Sequence, residues 1–255
     1  MIRTFFWAVW LFAYFISLTP VYWKVRRLEK RSGPEAAAEH NALVQKQVKL
    51  WTTRLLRNIG LAVTVEGAEN LPGADETVVF VVNHQSYLDI PVVLGSIGRA
   101  YPLLGKRQLG KIPFLGAWMR RLGCIFVERD DARASVAALR ACDELVEKGS
   151  SLIIFPEGTR SGGDVIGEFK GGAMRVALKA KVPVVPIVLN GTGRAMEGNN
   201  WRLRKGRVRV QVLPPVPTAE LSRAEQKALP KYLENMMRTA QEKPWDPEVE
   251  KSIVD

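Results

Sequence analysis

Short apolar segments recur along the chain from residue 61 onward. Apolar side chains occupy alternate positions between residues 61 and 65, and short apolar runs follow. Such alternation, or a short apolar run bounded by turn residues, is typical of a β-strand. The predicted strands therefore include residues 61–65, 78–82, 124–127, 152–155, 184–189 and 208–213.

Helical patterns separate these strands. The clearest covers residues 132–148, where Asp130 or Asp131 can cap the start of the helix and Gly149 can end it. Strands that alternate with helices and are apolar on both faces indicate a largely parallel sheet. We therefore predict an α/β fold in which helices flank a mostly parallel sheet on both faces.

The first 31 residues follow a different pattern. Residues 5–23 carry no charge and are rich in aromatic side chains. At about 1.5 Å per residue, a helix of this length just reaches across a hydrocarbon core of roughly 30 Å. Most of the nearby basic residues follow the run, which places the bulk of the chain in the cytoplasm. Residues 19–23 lack the small-residue cleavage site of a signal peptide, so we predict a helix that either spans the membrane or lies in one leaflet.

A second apolar stripe with helical spacing lies between residues 44 and 59. Its other faces carry basic side chains: Lys46, Lys49, Arg54 and Arg57. This pattern suits a helix on an anionic membrane surface, and it equally suits a helix packed on the α/β domain with a solvated basic face. We divide the chain into membrane-anchoring helices at residues 1–60 and an α/β domain at residues 61–255. A polar helix is predicted at about residues 219–241, which Pro230 should break or kink.

The charge of the chain favours an anionic partner. There are 37 Lys and Arg residues against 26 Asp and Glu, giving a net charge of +11. Nucleic acid, an anionic membrane and a phosphorylated substrate all fit this excess, but nucleic acid leaves the aromatic run unexplained. Cys124 and Cys142 cannot form a disulfide framework and lie in no zinc-binding pattern. We expect a reduced, cytoplasm-facing protein without a metal or cofactor.

The first candidate for chemistry is the segment at residues 83–89, directly after a predicted strand. His84 and Asp89 are five residues apart, and on a regular helix they would be separated by about 140°. They can therefore meet only across a turn. Asp89 would then fix the tautomer of His84, whose other ring nitrogen could take a proton from an alcohol. Alternatively, Asp89 is an ordinary N-cap and His84 a loop histidine.

The second candidate is the segment at residues 155–161, which also follows a predicted strand. Pro156 and Gly158 supply a sharp turn, while Thr159 and Arg160 can bind oxygen atoms of an anion. The segment is thus a candidate anion-binding loop. An ordinary polar turn would have a similar composition.

Together these segments resemble the glycerophosphate and lysophosphatidic acid acyltransferase family. Three further segments resemble blocks of the same family: residues 105–113, 123–129 and 182–187. The resemblance covers about residues 63–192. The family commonly has a glutamate where this chain has Gln108, a departure that bears on the acceptor rather than on the reaction.

The resemblance implies a role for each matching residue. His84 would be the general base and Asp89 its orienting carboxylate. The implied substrate-binding residues are Lys106, Arg129, Glu157, Gly158, Thr159 and Arg160, with Lys106, Arg129 and Arg160 as the phosphate contacts. Residues 182–187 would form a wall of the acyl site.

The implied reaction moves an acyl group from acyl-CoA or acyl-carrier protein to the free sn-2 hydroxyl of 1-acylglycerol-3-phosphate. The product would be phosphatidic acid, in phospholipid biosynthesis. The resemblance implies no cofactor, no metal and no nucleic-acid partner. It places the enzyme on the cytoplasmic (inner) membrane, and the N-terminal segment is similar to a bacterial two-helix element that inserts into the cytoplasmic leaflet.

Several alternatives stay open at the level of sequence. Within the family, the acceptor could be another lysophospholipid, a lyso-ornithine lipid or glycerol-3-phosphate. A non-catalytic module that binds anionic lipid heads would also use the basic surface, but it would not need a base such as His84. A serine hydrolase using Ser86 or Ser161 lacks both a GxSxG elbow and a second histidine in the α/β domain.

Overall fold

A five-stranded sheet forms the centre of the protein. The structure is a computed structural model that describes residues 2–73, 75–128 and 131–243. The strands within these residues are β1 (Leu61–Glu66), β2 (Val79–Val82), β3 (Leu104–Lys106), β4 (Ile125–Val127), β5 (Leu152–Ile154), β6 (Val184–Asn190) and β7 (Gly206–Val212). The order across the sheet is β1-β7-β6-β2-β5, and its antiparallel pairing is between β6 and β7. β3 and β4 form a separate parallel pair beside β5.

Helices cover both faces of this sheet. Within the described residues they are α1 (Ile2–Ser17), α2 (Thr19–Leu28), α3 (Pro34–Ile59), α4 (Asp89–Ser96), α5 (Arg107–Lys111), α6 (Leu115–Arg121), α7 (Ala132–Glu147), α8 (Gly171–Ala180), α9 (Thr192–Ala195) and α10 (Arg223–Glu242). Short 3₁₀ helices occupy Ala68–Asn70 and Glu197–Asn199.

The side chains of β2 are apolar on both faces of the sheet, so helices must pack on both faces to bury them. Phe80 and Val82 pack into the cluster built with α3 and α4, whereas Val79 and Val81 pack into the cluster built with α7, α8 and α10. All four side chains are fully buried. A continuous apolar run is expected of a strand that is covered on both faces. The predicted α/β fold with a mostly parallel sheet is confirmed.

The C-terminal helix differs from the prediction at its start and at its proline. It begins at Arg223 because Ser222 and Glu225 form a capping box. It then continues through Pro230, so of the predicted break or kink the break does not occur. An internal proline costs about 3 kcal/mol, and burial of a leucine contributes roughly 1.5–3 kcal/mol. Burial of Leu229 and Leu233 on either side of the proline therefore offsets that cost.

Local sequence patterns predicted helix α7 correctly but did not predict strand β3 or the pairing of β4. The helix predicted at residues 132–148 is α7, capped by the Asp131 side chain, which accepts N–H bonds from Arg133 and Ala134. Strand β3 was not predicted because three residues are too few to show a period. The strand predicted at residues 124–127 pairs with β3 instead of joining the five-stranded sheet.

The aromatic N-terminal run is divided between α1 and α2, which meet at Leu18. Among the described residues, no helix combines the length and the apolar character that a membrane crossing requires. The exposed side of α1 carries Phe12 and Ile16, and α2 exposes Trp23.

Helix α3 packs against the sheet. Leu55, Leu56 and Ile59 belong to the hydrophobic core, while Lys46 and Lys49 are exposed. One face of α3 therefore packs on the α/β domain, and its basic face points outward. This arrangement is compatible with a solvated basic face and with a helix that lies on an anionic membrane surface. The core extends across the predicted boundary at residue 60.

Candidate active site

His84 and Asp89 meet at the carboxyl end of β2. An irregular turn follows Val82 and ends where α4 begins at Asp89. His84 Nδ1 lies 2.7 Å from Asp89 Oδ2, and both side chains are buried. The turn thus brings together two residues that a regular helix would separate.

Three further donors hold the carboxylate of Asp89. The backbone N–H groups of Gln85 and Ser86 donate to Oδ2 at 2.7 and 2.8 Å, and the Thr192 hydroxyl donates to Oδ1 at 2.5 Å. A fully buried charge needs such partners. With Asp89 accepting the Nδ1 proton, the Nε2 atom of His84 is left as the proton acceptor.

The ring of His84 also contacts the second motif. Phe155, directly after β5, stacks on the imidazole with ring centroids 4.2 Å apart. The backbone N–H of Ser161 donates to the His84 carbonyl at 2.9 Å, and the N–H of Gly162 donates to the Gln85 carbonyl at 3.1 Å. The two sequence motifs therefore form one hydrogen-bonded unit.

Glu157 lies beneath this unit. Its Oε1 accepts the His84 backbone N–H at 2.7 Å, and its Oε2 accepts the Gly167 N–H at 2.9 Å. The residue is only 5% exposed, and this burial raises the pKa of the carboxyl group above its usual value. In this arrangement the Glu157 carboxylate joins two backbone segments.

The remaining residues of the second motif are more accessible. Gly158 adopts the left-handed φ of 71° that the turn requires, and a Cβ there would lie 3.0 Å from Lys170 Nζ. Thr159 is exposed and Arg160 is half-buried. The Arg160 guanidinium carbon lies 3.6 Å from the centroid of the Tyr87 ring. This cation–π contact holds the Arg160 guanidinium next to residues 83–89.

Glu197 is a site residue that the sequence analysis missed. Its Oε2 accepts the Ser86 hydroxyl at 2.5 Å, and its Oε1 accepts the Tyr87 backbone N–H at 3.0 Å. Oε1 also lies 3.4 Å from Arg160 Nε. Because Glu197 is more than 100 residues from Tyr87 in sequence, no local pattern could have revealed it.

Other polar contacts fix the first motif to β6 and its following turn. Asn83 exchanges two hydrogen bonds with the backbone of Leu189, at 2.7 and 3.0 Å. Gln85 Oε1 accepts from the Gly191 N–H at 3.1 Å and lies 3.0 Å from the Thr192 hydroxyl oxygen. These bonds leave His84 little freedom to move.

One predicted phosphate contact, Lys106, is not joined to this unit. Lys106 ends β3 and is exposed, and no contact within the described residues links it to His84. Arg129 lies outside the described residues. The described residues also contain no group of three or more His, Cys, Asp or Glu side chains arranged to hold a metal ion.

An apolar cavity of about 430 Å³ borders the first motif. Tyr87, Leu88 and Pro91 form part of its wall, and Trp7 and Phe15 of α1 close another side. Cavities that bind small molecules typically measure about 300–1,000 Å³. The size and lining suit a hydrocarbon chain.

Comparison with known proteins identifies the family. A family model described as acyltransferase matches residues 62–190, about half of the chain. The chain belongs to this acyltransferase family. The match includes both motifs and the His84–Asp89 pair, and the resemblance inferred from them is confirmed.

Two relatives from the acyltransferase family align with different lengths of this chain. The chloroplastic 1-acyl-sn-glycerol-3-phosphate acyltransferase BAT2 of Brassica napus is 45% identical over 153 residues, covering 60% of this chain and 44% of the relative. The 1-acyl-sn-glycerol-3-phosphate acyltransferase alpha of Bos taurus is 32% identical over 208 residues, covering 80% and 71%. The chain thus spans less than half the length of the plant relative.

A solved structure shares the acyltransferase fold. The crystal structure of the 1-acyl-sn-glycerophosphate (LPA) acyltransferase PlsC from Thermotoga maritima superposes with a TM-score of 0.76 at 30% sequence identity. The match covers 93% of this chain and 97% of that one. The similarity therefore includes elements outside the matched family domain.

Proposed function

We propose that this acyltransferase moves a fatty acyl group from an acyl thioester to the free sn-2 hydroxyl of 1-acylglycerol-3-phosphate, giving phosphatidic acid. The observation that carries the proposal is the buried His84–Asp89 pair, 2.7 Å apart. It lies in a loop whose Tyr87 both lines the apolar cavity and stacks on Arg160. The names of the relatives support the choice of acceptor.

In the proposed reaction, His84 Nε2 removes the proton from the acceptor hydroxyl. The oxygen attacks the thioester carbonyl, the C–S bond breaks, and the thiolate leaves with the proton that His84 releases. Asp89 stabilises the imidazolium formed in between. No nucleophile of the enzyme takes part, which agrees with the engagement of the Ser86 hydroxyl by Glu197.

Arg160 is the proposed contact for the acceptor phosphate. Its planar guanidinium can bind two phosphate oxygens at once. Tyr87 and Glu197 orient the group at the edge of the His84 loop. Lys106 and Arg129 stay proposed phosphate contacts on the strength of the family resemblance alone.

The apolar cavity is the proposed site for a hydrocarbon chain of a substrate. Its wall includes Leu88 and Pro91, which flank Asp89 in sequence, so a chain bound there ends close to the catalytic pair. Either acyl-CoA or acyl-carrier protein can supply the thioester. A different lysophospholipid or lyso-ornithine lipid is the alternative acceptor.

We also propose that the N-terminal helices attach the enzyme to the cytoplasmic face of the membrane. Phe12, Ile16 and Trp23 are exposed apolar side chains on α1 and α2, and aromatic rings favour the membrane interface. Replacing Phe12 and Trp23 by Ser should weaken binding to anionic vesicles in sedimentation. The control is Tyr232→Ser, which removes an exposed aromatic ring from α10. Equal vesicle binding by all the proteins would contradict the attachment.

The activity is tested by acyl transfer with purified enzyme, a panel of lysolipids and both classes of donor. We expect lysophosphatidic acid to be the preferred acceptor. Faster acylation of a phosphate-free lysolipid would overturn the proposed acceptor. Absence of transfer to every lysolipid, with intact binding to anionic vesicles, would favour the lipid-binding alternative.

A further inference from the structure

A second cavity lies at the opposite end of the central strands. It measures about 250 Å³, and Glu76 and Ser151, which precede β2 and β5, lie in its wall. His84 follows the other end of β2. The second cavity is therefore separate from the proposed active site.

Basic residues outnumber acidic ones in the lining of this cavity. Arg99, Arg121 and Lys148 stand against a single carboxylate, that of Glu76. Oε2 of Glu76 already accepts the N–H of Gly73 at 2.9 Å. Within the described part of the chain, neither Arg99 nor Lys148 has an ion-pair partner. The Glu29 carboxylate neutralises Arg121, so the excess of positive charge at the cavity wall comes from Arg99 and Lys148 against Glu76.

Arg121 has a buried hydrogen-bond donor, Nη1, that contacts no acceptor among the described residues. Its side chain is only 8% exposed, and Nε lies 2.8 Å from Glu29 Oε1. Nη2 lies 3.4 Å from the other Glu29 oxygen, and the guanidinium carbon lies 4.3 Å from the Tyr22 ring centroid. Nη1 is buried and has no hydrogen-bond partner among the described residues. Buried donors are rarely left unsatisfied, because each costs roughly 1–3 kcal/mol.

Neutral groups of the lining complete a polar site. Ser150 and Tyr101 line the cavity, and both can donate hydrogen bonds. A tyrosine hydroxyl is protonated at neutral pH, and burial raises the pKa of Tyr101 further. Arg99 lies 5.8 Å from the Tyr101 ring centroid, which holds the guanidinium near the cavity rim.

We propose that this cavity is a second ligand site, which binds a small phosphate-bearing anion through Arg99, Arg121 and Lys148. Arginine and lysine are the usual ligands of phosphate. The volume falls below the usual range of about 300–1,000 Å³ for small-molecule pockets. It therefore suits a phosphate with a short attached group. The phosphate can belong to a free metabolite or to a lipid headgroup.

The first test is calorimetric titration of the full-length protein with inorganic phosphate at constant ionic strength. The variants are the double replacement Arg99→Gln with Lys148→Gln, the charge-matched control Lys227→Gln on α10, and Arg160→Gln in the proposed active site. We expect saturable binding in the wild type, in Lys227→Gln and in Arg160→Gln. The double variant should lose at least tenfold in the affinity of this site.

Two results would overturn the proposal. One is wild-type affinity in the double variant, and the other is loss of all saturable binding in Arg160→Gln alone. Arg121→Gln supplies a further check, provided that its melting temperature matches that of the wild type. Failure of the proposed acyl transfer would leave these binding measurements unaffected.

The second test identifies the source of the phosphate. A thiol introduced by Ser150→Cys reports on the cavity, because burial raises the pKa of Cys124 and Cys142 to about 12 and makes both native thiols poorly reactive. Protection from labelling by glycerol 3-phosphate indicates a free metabolite. Protection by phosphatidic acid vesicles, but not by neutral vesicles, indicates a lipid headgroup. Equal labelling in every case would contradict the proposal.

Discussion

The loops at residues 83–89 and 155–161 differ in how their polar side chains are held. Both follow neighbouring parallel strands and turn at the same edge of the sheet. In the first loop, Asn83, His84 and Asp89 are all buried and hydrogen-bonded. The second loop also holds one buried, hydrogen-bonded side chain, Glu157, but Thr159 is exposed and Arg160 is half-buried.

This difference matches two separate demands of the proposed reaction. Proton transfer requires a base that is held within about 0.5 Å of its productive position. An acceptor headgroup must enter and leave, so its contact is placed on a more accessible side chain. Changes at His84 and Asp89 should therefore lower kcat, and changes at the accessible Arg160 should raise the KM for the acceptor.

The largest effect is expected for His84→Ala. Loss of the general base should lower kcat by about 10²- to 10⁴-fold. The matched control is His40→Ala, which removes the only other histidine, near the start of α3. Near-normal turnover by the His84 variant would refute the proposed base.

A smaller loss of kcat is expected for Asp89→Asn. Hydrogen bonds to charged groups contribute about 1.5–3 kcal/mol, which corresponds to roughly 10- to 100-fold in rate. Thermal melting should accompany the assay, because the carboxylate also accepts the Gln85 and Ser86 N–H groups. An effect on melting temperature with unchanged kcat would assign Asp89 a structural role only.

For Arg160→Ala we expect the acceptor KM to rise about tenfold or more, as loss of a charge-assisted contact implies. The donor KM should stay near its wild-type value. Arg160→Lys should restore part of the loss, and Arg175→Ala on α8 is the control for removal of an arginine. A similar rise in both KM values would show that the contact does not distinguish the acceptor.

The smallest effect is expected for Glu197→Gln. The amide keeps the size of the side chain but loses the ion pair with Arg160. The Glu197 side chain is only 7% exposed, but the Arg160 side chain is 28% exposed and the pair is long, at 3.4 Å. Solvent therefore screens the pair, and its contribution should stay at about 1 kcal/mol or less. The acceptor KM should therefore rise by less than about fivefold. A large fall in kcat would instead show that Glu197 supports the His84 loop more than it orients Arg160.

The pattern of hydrophobic residues predicted which helices and strands exist better than it predicted where each begins and ends. Apolar runs of four or more residues located β2, β5 and β6, because each strand is buried on both faces. Strand β3 was too short to show a period. Pro230 does not break α10, because its neighbours Leu229 and Leu233 pack in the core and offset the lost hydrogen bond. No local pattern shows this packing.

Sequence alone determined the family, the fold class and the two motifs, because these depend on residues that lie close together in the chain. Tertiary structure decided which groups meet. Thr192 and Glu197 reach the first motif only because β6 lies beside β2 and the turn after β6 ends near the same sheet edge. The fold likewise brings the Glu157 carboxylate to the backbone N–H groups of His84 and Gly167. Contacts between residues about 70–110 positions apart depend on the packing of the whole sheet, and no local pattern encodes them.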